Sequence, residues 1–522
     1  MSGEPSDSDP SRREASITPE QGTLEQLASE EGDALLGAMA ASARPKLGAV
    51  DRMGLALSGG GYRAAAFHLG VMGVLHRVGL LPTVRVLSTV SGGSIVGAGW
   101  LVSLAESKGF AEFERAFRRW LSTTDVVALA GAKLSRAGDG RTPSLIRAAA
   151  AVYAQSPVIG DFRFGDFREG FPVEDIVINA TEFTTGNVFR LTRTASSRAS
   201  IGNQNVPVKR EVLDRVRLAD AVAASSCFPG AFEPLVWPTD FDLDGLDATV
   251  GSEPVYLMDG GIVDNQGISS VELAVTRAAN RASPLDLVVV SDVFQHGRDF
   301  LSGAQSAASP VPSVILALLL LAILLGVNLA VAIATLVRTG LSAGTGLSLF
   351  VAAGLVLLPL AAGVSAWWSL RKSVAARWNV LAVLGGFGVG DLVQAMAMRA
   401  RSVLAILSNV FMKRVRSQEY GQVRDVLSRR VRCVRVSIND HERWKDDPEV
   451  TEAMRETCQR AFGMATTLWC SEAEVETLVA AGRIAACKAL LDAARRDETK
   501  AAFADALEAL WSELRAAGSE RK

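Results

Sequence analysis

Residues 51–300 alternate short apolar, β-branched runs with longer stretches of helical period. The runs are GLALS (54–58), VRVLSTV (84–90), DIVINATEF (175–183), VYLMD (255–259) and LDLVVVSDV (285–293). Strands alternating with helices predict an α/β sheet rather than a sandwich or a helical bundle. One more run, RCVRVSIND (432–440), reads as a further strand. Beyond it, Ser471 and Glu474 form a capping box ahead of a helix. Phe503, Leu507, Leu510, Trp511 and Leu514 line one face of a last helix, where they serve as packing.

The pattern changes in the middle of the chain. Between Asp299 and Arg371 the only charged residue is Arg338, whereas an ordinary soluble stretch of that length carries roughly eighteen. As helices, 314–337 and 347–370 would each be about 36 Å long, enough to cross a ~30 Å hydrocarbon core. The short connection RTGLSAGTG makes them an antiparallel hairpin, with Trp367 and Trp368 at the level of an interfacial belt. Arg371, Lys372 and Arg377 flank its outer end. By the positive-inside rule both soluble flanks face the cytoplasm. A third apolar run, WNVLAVLGGFGVG from Trp378, is too short to span and reads as an interfacial or buried piece.

Charge and cysteine content exclude some classes. The 54 Lys+Arg are balanced by 56 Asp+Glu, a formal net charge of -2, with no basic domain to serve nucleic acid. Five cysteines are scattered without a CxxC pair, which favours reduced thiols over a disulfide framework or zinc site. The polar, acidic start has no apolar core of a secretory signal and reads as a mostly disordered tail.

Two glycine-rich stretches carry the candidate chemistry. In LALSGGGYRAAAFHLG (55–70) a strand ends in Gly59, Gly60 and Gly61 and a helix follows. A dinucleotide cradle needs G-x-G-x-x-G and an acidic residue about 20 further on, and neither is present. The alternatives are an oxyanion hole built from backbone N–H groups, or only a tight turn. In VRVLSTVSGGSIVGAGW (84–100) a strand runs into a glycine-flanked serine and then into small, helix-compatible residues, as in a nucleophile elbow. Gly92, Gly93 and Ser94 match the first three positions of Gly-X-Ser-X-Gly, and Val96 departs at the fifth. Ser94 is therefore the candidate nucleophile; the alternative is a glycine-rich loop without chemistry. None of the four histidines (His68, His76, His296, His441) fits the Ser, acid, His order of an α/β hydrolase, although His441 is late enough in the chain to be considered. Asp259, in VYLMDGGIVDNQG, ends a strand and is the better candidate base; the alternative is an Asp-Gly-Gly turn.

Taken in order, these stretches resemble the patatin-like phospholipases, in particular bacterial-type patatin-like acyl hydrolases. SGGGYRA (58–64) is similar to the family's oxyanion element, SGGSIVGA (91–98) to its serine motif and DGGIVDN (259–265) to its aspartate motif. INATEFTTG (178–186) and AVAASSCFPGAFEPL (221–235) look like its linking segments. The resemblance covers most of 51–300 and continues more faintly to about residue 490. It implies a three-layer α/β/α sandwich, a Ser94–Asp259 dyad without histidine, an oxyanion hole from Gly59, Gly60 and Gly61, and hydrolysis of lipid acyl esters. Arg63, at the start of the helix, would orient the loop or meet a phosphate.

The expected organisation is a tail (1–50), the main part of the catalytic domain (51–300), a transmembrane hairpin (301–371), the rest of the catalytic domain (372–492) and an amphipathic helix (493–522). The expected function is a membrane-anchored serine acyl hydrolase of the phospholipase A or lysophospholipase kind. Its partners would be membrane lipid and the bilayer, with the catalytic domain on the cytoplasmic side of a bacterial inner membrane. No metal or organic cofactor is implied. The other readings are an inactive patatin-fold interaction protein, or an acyltransferase or thioesterase on the same dyad.

Overall fold

A computed structural model describes residues 50–134, 144–194, 201–229, 231–246, 254–293, 431–496 and 503–519. All of them fall in one compact unit, which takes in chain on both sides of 299–406.

The unit is built on a mixed sheet. Strand β1 (Met53–Leu57) pairs in parallel with β2 (Val84–Val90) and, on its other side, with β7 (Leu287–Asp292). Strand β2 pairs in parallel with β3 (Asp175–Glu182), and β7 with β8 (Arg432–Ser437), so the outermost parallel strand comes from the far side of the apolar stretches. At the β3 edge the sheet turns antiparallel: β4 (Asn187–Thr194) pairs along all of β3, β6 (Val255–Asp259) pairs with its last residues, and β5 (Leu235–Trp237) pairs with β6. Every residue of β1, β3 and β7 is buried, as expected where helices cover both faces of a sheet. Strands β4 and β5 were not among the sequence expectations. In β4 the core residues Phe189 and Leu191 alternate with polar ones, so it lacks the continuous apolar run that marks the central strands.

One face is covered by α1 (Gly61–Arg77), α2 (Gly92–Ala105), α3 (Phe110–Thr123), α4 (Val126–Leu134), α5 (Leu145–Ala154) and α6 (Leu218–Ser225). The other face carries α7 (Ile268–Asn280), packed on Ala56, Val86, Val288 and Val290. After β8 come α8 (Glu452–Gly463), α9 (Glu472–Arg495) and α10 (Ala504–Ser519). Helices thus lie on both faces of a mixed sheet, the α/β/α layering that the sequence predicts.

Helix α1 is buried on every side from Gly61 to Leu75, the behaviour of a helix apolar all round. Its closest neighbour is α9. A Cβ on Gly70 would stand 2.1 Å from Val479 O, and one on Gly482 2.1 Å from Phe67 O. The two backbones therefore touch, and the chain beyond the apolar stretches is packed directly on the helix that carries the glycine element. The Ser471–Glu474 box caps α9. Burial opposes a charge on Glu114 of α3, but Arg483 and Arg118 outweigh it and hold the carboxyl below the usual range. With Arg483 at 2.8 Å, this pair ties α3 to α9.

Among the described residues no helix is long and apolar enough to cross a membrane. The expected hairpin (314–337 and 347–370), the run from Trp378 and the tail 1–49 lie outside the described residues. All five cysteines are free.

Candidate active site

The site forms where β1, β2 and β6 end. After β1, Ser58 donates its N–H to Ser291 O at 3.0 Å, and Gly59 donates to Asn265 O at 2.9 Å. Gly60 (φ 144°) and Gly61 (φ 58°) then take conformations that favour glycine. Space also demands glycine: a Cβ on Gly60 would lie 2.7 Å from Val293 Cγ2, and one on Gly61 2.4 Å from Thr467 O. The Gly59 amide is engaged, so it is not available to an oxyanion. The Gly60 and Gly61 amides meet no acceptor among the described residues, whereas the next one, Tyr62 N–H, donates to Thr467 O at 2.8 Å.

At the end of β2 the structure corrects the sequence reading. The sharp turn falls at Ser91 (φ 50°, ψ −117°), and α2 begins at Gly92. A non-glycine residue held there costs about 1–3 kcal/mol and persists only where its surroundings enforce it. They do so from both sides. Ser91 N–H donates to Ser225 Oγ at 2.9 Å, and Ser91 O accepts Ser94 N–H at 2.8 Å. Gly92 and Gly93 press on the neighbouring loop: their Cβ atoms would stand 2.0 Å from Gly61 O and 2.3 Å from Leu57 O.

Ser94 is in the first turn of α2 and fully buried. Its hydroxyl lies 3.0 Å from Thr89 Oγ1 and 2.8 Å from Ser225 Oγ. Those hydroxyls donate their own protons to Val177 O and Asn179 O, so the Ser94 proton is shared between them as acceptors. It is an internal hydrogen-bonding group, not the elbow residue. The Ser91 hydroxyl, in contrast, is engaged by no described residue. Counted from Ser91, the glycine two residues on is Gly93, and the departure from Gly-X-Ser-X-Gly moves from Val96 to Thr89.

Asp259 closes β6 opposite Ala180 of β3. Its N–H donates to Cys227 O at 3.0 Å, Thr181 Oγ1 donates to its carbonyl at 2.9 Å, and its Oδ1 accepts Gly261 N–H at 2.7 Å. Asp264 caps α7 through Ile268 N–H and Ser269 N–H. The loops meet through a few atoms. Ser91 Cβ lies 3.1 Å from the Cβ site of Gly59, and Val90 Cγ1 lies 3.5 Å from that site and 3.2 Å from that of Gly260. Asn265 Oδ1 lies 2.7 Å from the Gly59 site and 2.4 Å from that of Gly261. The ends of β1 and β2 and the loop after Asp259 are thus in contact.

Arg63 is buried; Nη1 donates to Met464 O at 3.2 Å and Nη2 to Val293 O at 3.0 Å. It joins the start of α1 to the end of β7 and to the segment after α8. Of the described histidines, His68 bonds Ser291 Oγ and Ser58 O, His76 stacks on Phe110, and His441 bonds Ile438 O beside Phe462. None of the three bonds Ser91, Ser94 or Asp259. Burial pushes the Cys227 thiol well up, so this thiol beside Asp259 stays protonated and is a poor nucleophile. The sequence reading did not single out Ser91, Ser225 or Asn179, and it took Gly92 only as a motif position. For Ser91 the available signal was its place directly after the last apolar residue of β2.

The elbow serine after β2 and the aspartate closing β6 thus lie on either side of β3. Residues 55–271 match the family described as patatin-like phospholipase, and over that stretch the chain carries a patatin-like domain. Among solved structures, human GIVD cytosolic phospholipase A2 is matched at 13% identity over 96% of this chain and 65% of its own, TM-score 0.38. In complex with methyl gamma-linolenyl fluorophosphonate inhibitor and terbium chloride it is matched at 18% over 52% and 45%, TM-score 0.29. VipD from Legionella pneumophila is matched at 13% over 90% and 92%, TM-score 0.25. The chain thus spans less than two thirds of either phospholipase chain. No curated protein matches it.

Proposed function

We propose that the protein is a membrane-anchored serine hydrolase of lipid acyl esters, with Ser91 as nucleophile and Asp259 as general base. The observation that carries this reading is the strained backbone of Ser91 at the junction of β2 and α2, which lifts a hydroxyl out of the helix and toward the strand ends. Asp259 takes the Ser91 proton as Oγ attacks the ester carbonyl carbon. The resulting oxyanion is held by the amides of Gly60, Gly61 and Gly92, at the N-termini of α1 and α2. Collapse breaks the ester bond, and the departing alcohol takes the proton back from Asp259. Asp259 then draws a proton from water as it attacks the acyl-serine and passes it to Ser91 Oγ as the acyl–oxygen bond breaks, which releases the fatty acid and restores Ser91 and the carboxylate.

The segments 314–337 and 347–370 supply the anchor in this reading, and their even number keeps β7 and β8 on one side of the bilayer. The test is a fluorophosphonate probe followed by peptide mapping. Label on the peptide carrying Ser91, lost in Ser91→Ala and retained in Ser94→Ala, is the expected result. Label that survives Ser91→Ala would overturn the assignment.

A further inference from the structure

In the loop that joins β6 to α7, two side chains have partners of their own. Asp264 caps α7 through Ile268 N–H and Ser269 N–H, and Gln266 Nε2 donates to Asp292 Oδ2 at 2.6 Å. Asn265, between them, is only 3% exposed, and its Nδ2 is a buried donor with no acceptor among the described residues. Leaving such a donor unpaired lowers stability. A carboxamide kept there calls for a reason outside the packing of its own loop.

The surroundings of its oxygen supply one. Asn265 Oδ1 is the atom nearest to the Cβ sites of both Gly59 and Gly261, at 2.7 and 2.4 Å. The next nearest atom is Ser91 Cβ at the first site, 3.1 Å away, and Asp259 Oδ1 at the second, 2.9 Å away. One carboxamide thus stands beside both the elbow serine and the aspartate. The Asn265 carbonyl meanwhile accepts Gly59 N–H at 2.9 Å, at the start of the glycine element. Three parts of the site therefore meet at one residue.

We propose that Asn265 is a positioning residue for the Ser91–Asp259 pair, an inference that rests on the hydrolase reading above. Its carboxamide keeps the two side chains at one spacing and offers a group to each state of the base. Nδ2 is a donor for the carboxylate. Oδ1 is an acceptor for the carboxylic acid that exists after the Ser91 proton has moved and before the alcohol departs. No bond of the substrate is made or broken by Asn265; it holds Asp259 where proton transfer is direct. An apolar side chain of the same size would fill the space and supply neither group.

The test uses the full chain, steady-state kinetics on a dispersed short-chain ester, and melting curves. Asn265→Leu is close to isosteric, keeps the carbonyl that holds Gly59 and removes the unpaired donor. Its kcat is expected to fall at least about tenfold with KM within about twofold, while its melting temperature stays the same or rises. A merely structural role would move activity and stability down together. Should the branched side chain prevent folding, two smaller variants decide: Asn265→Ser, which keeps a donor and an acceptor, should recover at least about fivefold of the kcat lost in Asn265→Ala. An unchanged kcat in Asn265→Leu or Asn265→Ala, a kcat that falls only in step with melting temperature, a raised KM with kcat intact, or no recovery in Asn265→Ser would each overturn the proposal. The wild type separates the failures: if it hydrolyses the ester, the positioning role alone falls; if it hydrolyses none, the hydrolase reading falls with it.

Discussion

The hydroxyl of Ser225 accepts the backbone N–H of Ser91 at 2.9 Å. Its own proton goes to Asn179 O at 2.6 Å, and Ser94 Oγ lies 2.8 Å away. Asn179 reaches back to β2 through Nδ2, donating to Thr89 O and Ser88 Oγ at 3.0 Å each, and its Oδ1 accepts Ser270 Oγ at 2.6 Å. The strained turn is therefore fixed by β3, α6 and α7 together, through a buried network. Ser88 Oγ continues it to Gly267 O at 2.8 Å, in the loop that follows Asp259. The stretches INATEFTTG and AVAASSCFPGAFEPL thus hold the elbow in place.

Removing Ser225 Oγ should act on the elbow rather than on substrate binding. In Ser225→Ala the Ser91 N–H and Asn179 O both lose their partner, a cost of roughly 1–3 kcal/mol for each buried group. The expected kinetic result is a fall in kcat of about 10- to 100-fold with KM little changed, partly rescued by Ser225→Cys. A KM effect with kcat intact would assign Ser225 to binding instead.

Ser91→Ala should reduce ester hydrolysis by at least about 10⁴-fold, and Asp259→Asn combined with it should add little, because a nucleophile and its base act as one unit. Ser94→Ala should stay active, weakened in stability by about 1 kcal/mol for its lost hydrogen bonds. Steady-state rates and melting curves on the three variants decide between Ser91 and Ser94.

The glycines of the elbow can be tested by size. Gly92→Ala places a methyl 2.0 Å from Gly61 O, against backbone that has no flexible end to move, so little folded protein is expected. Val96→Gly is the informative converse. Were Val96 an intruder at a glycine position, the variant would gain activity. Since Val96 is fully buried in α2, it should instead lose about 3 kcal/mol of stability, from lost apolar burial and poor helix propensity, and gain no activity.

The sequence made the central strands and the order of the motifs legible, because strands buried on both faces leave continuous apolar runs. It did not reveal which serine turns the corner. VSGGS offers Ser91 before the glycines and Ser94 after them, and a spacing rule counted from Gly92 selects the second. The choice is made by contacts distant in sequence: Gly61 O against Gly92, Leu57 O against Gly93, and Ser225 under the Ser91 amide. Strand β4 escaped because Phe189 and Leu191 alternate with polar residues, and the partners of Arg63 stayed open between loop and phosphate because nothing local indicates the carbonyls of Val293 and Met464.

His68 supplies a test of the fold itself. It lies fully buried between Ser58 O and Ser291 Oγ, directly behind the glycine element. Burial lowers its pKa from 6.5 to about 4, against the opposing pull of the Ser58 carbonyl and Asp292. The folded state therefore holds the neutral ring. At neutral pH both the folded and unfolded chains are uncharged at this site, and full stability is present. As pH falls below about 6.5 the unfolded chain gains a proton that the folded chain refuses, so stability is lost progressively until the folded ring itself titrates near 4. Across that window the loss from this residue amounts to roughly 3 kcal/mol. In His68→Gln, which keeps a donor and an acceptor but has no titration, the melting temperature should fall less between pH 7 and about pH 4.5 than in the wild type. Parallel pH profiles for the two proteins would show that His68 is not held neutral, and that the packing behind the oxyanion glycines is looser than this geometry requires.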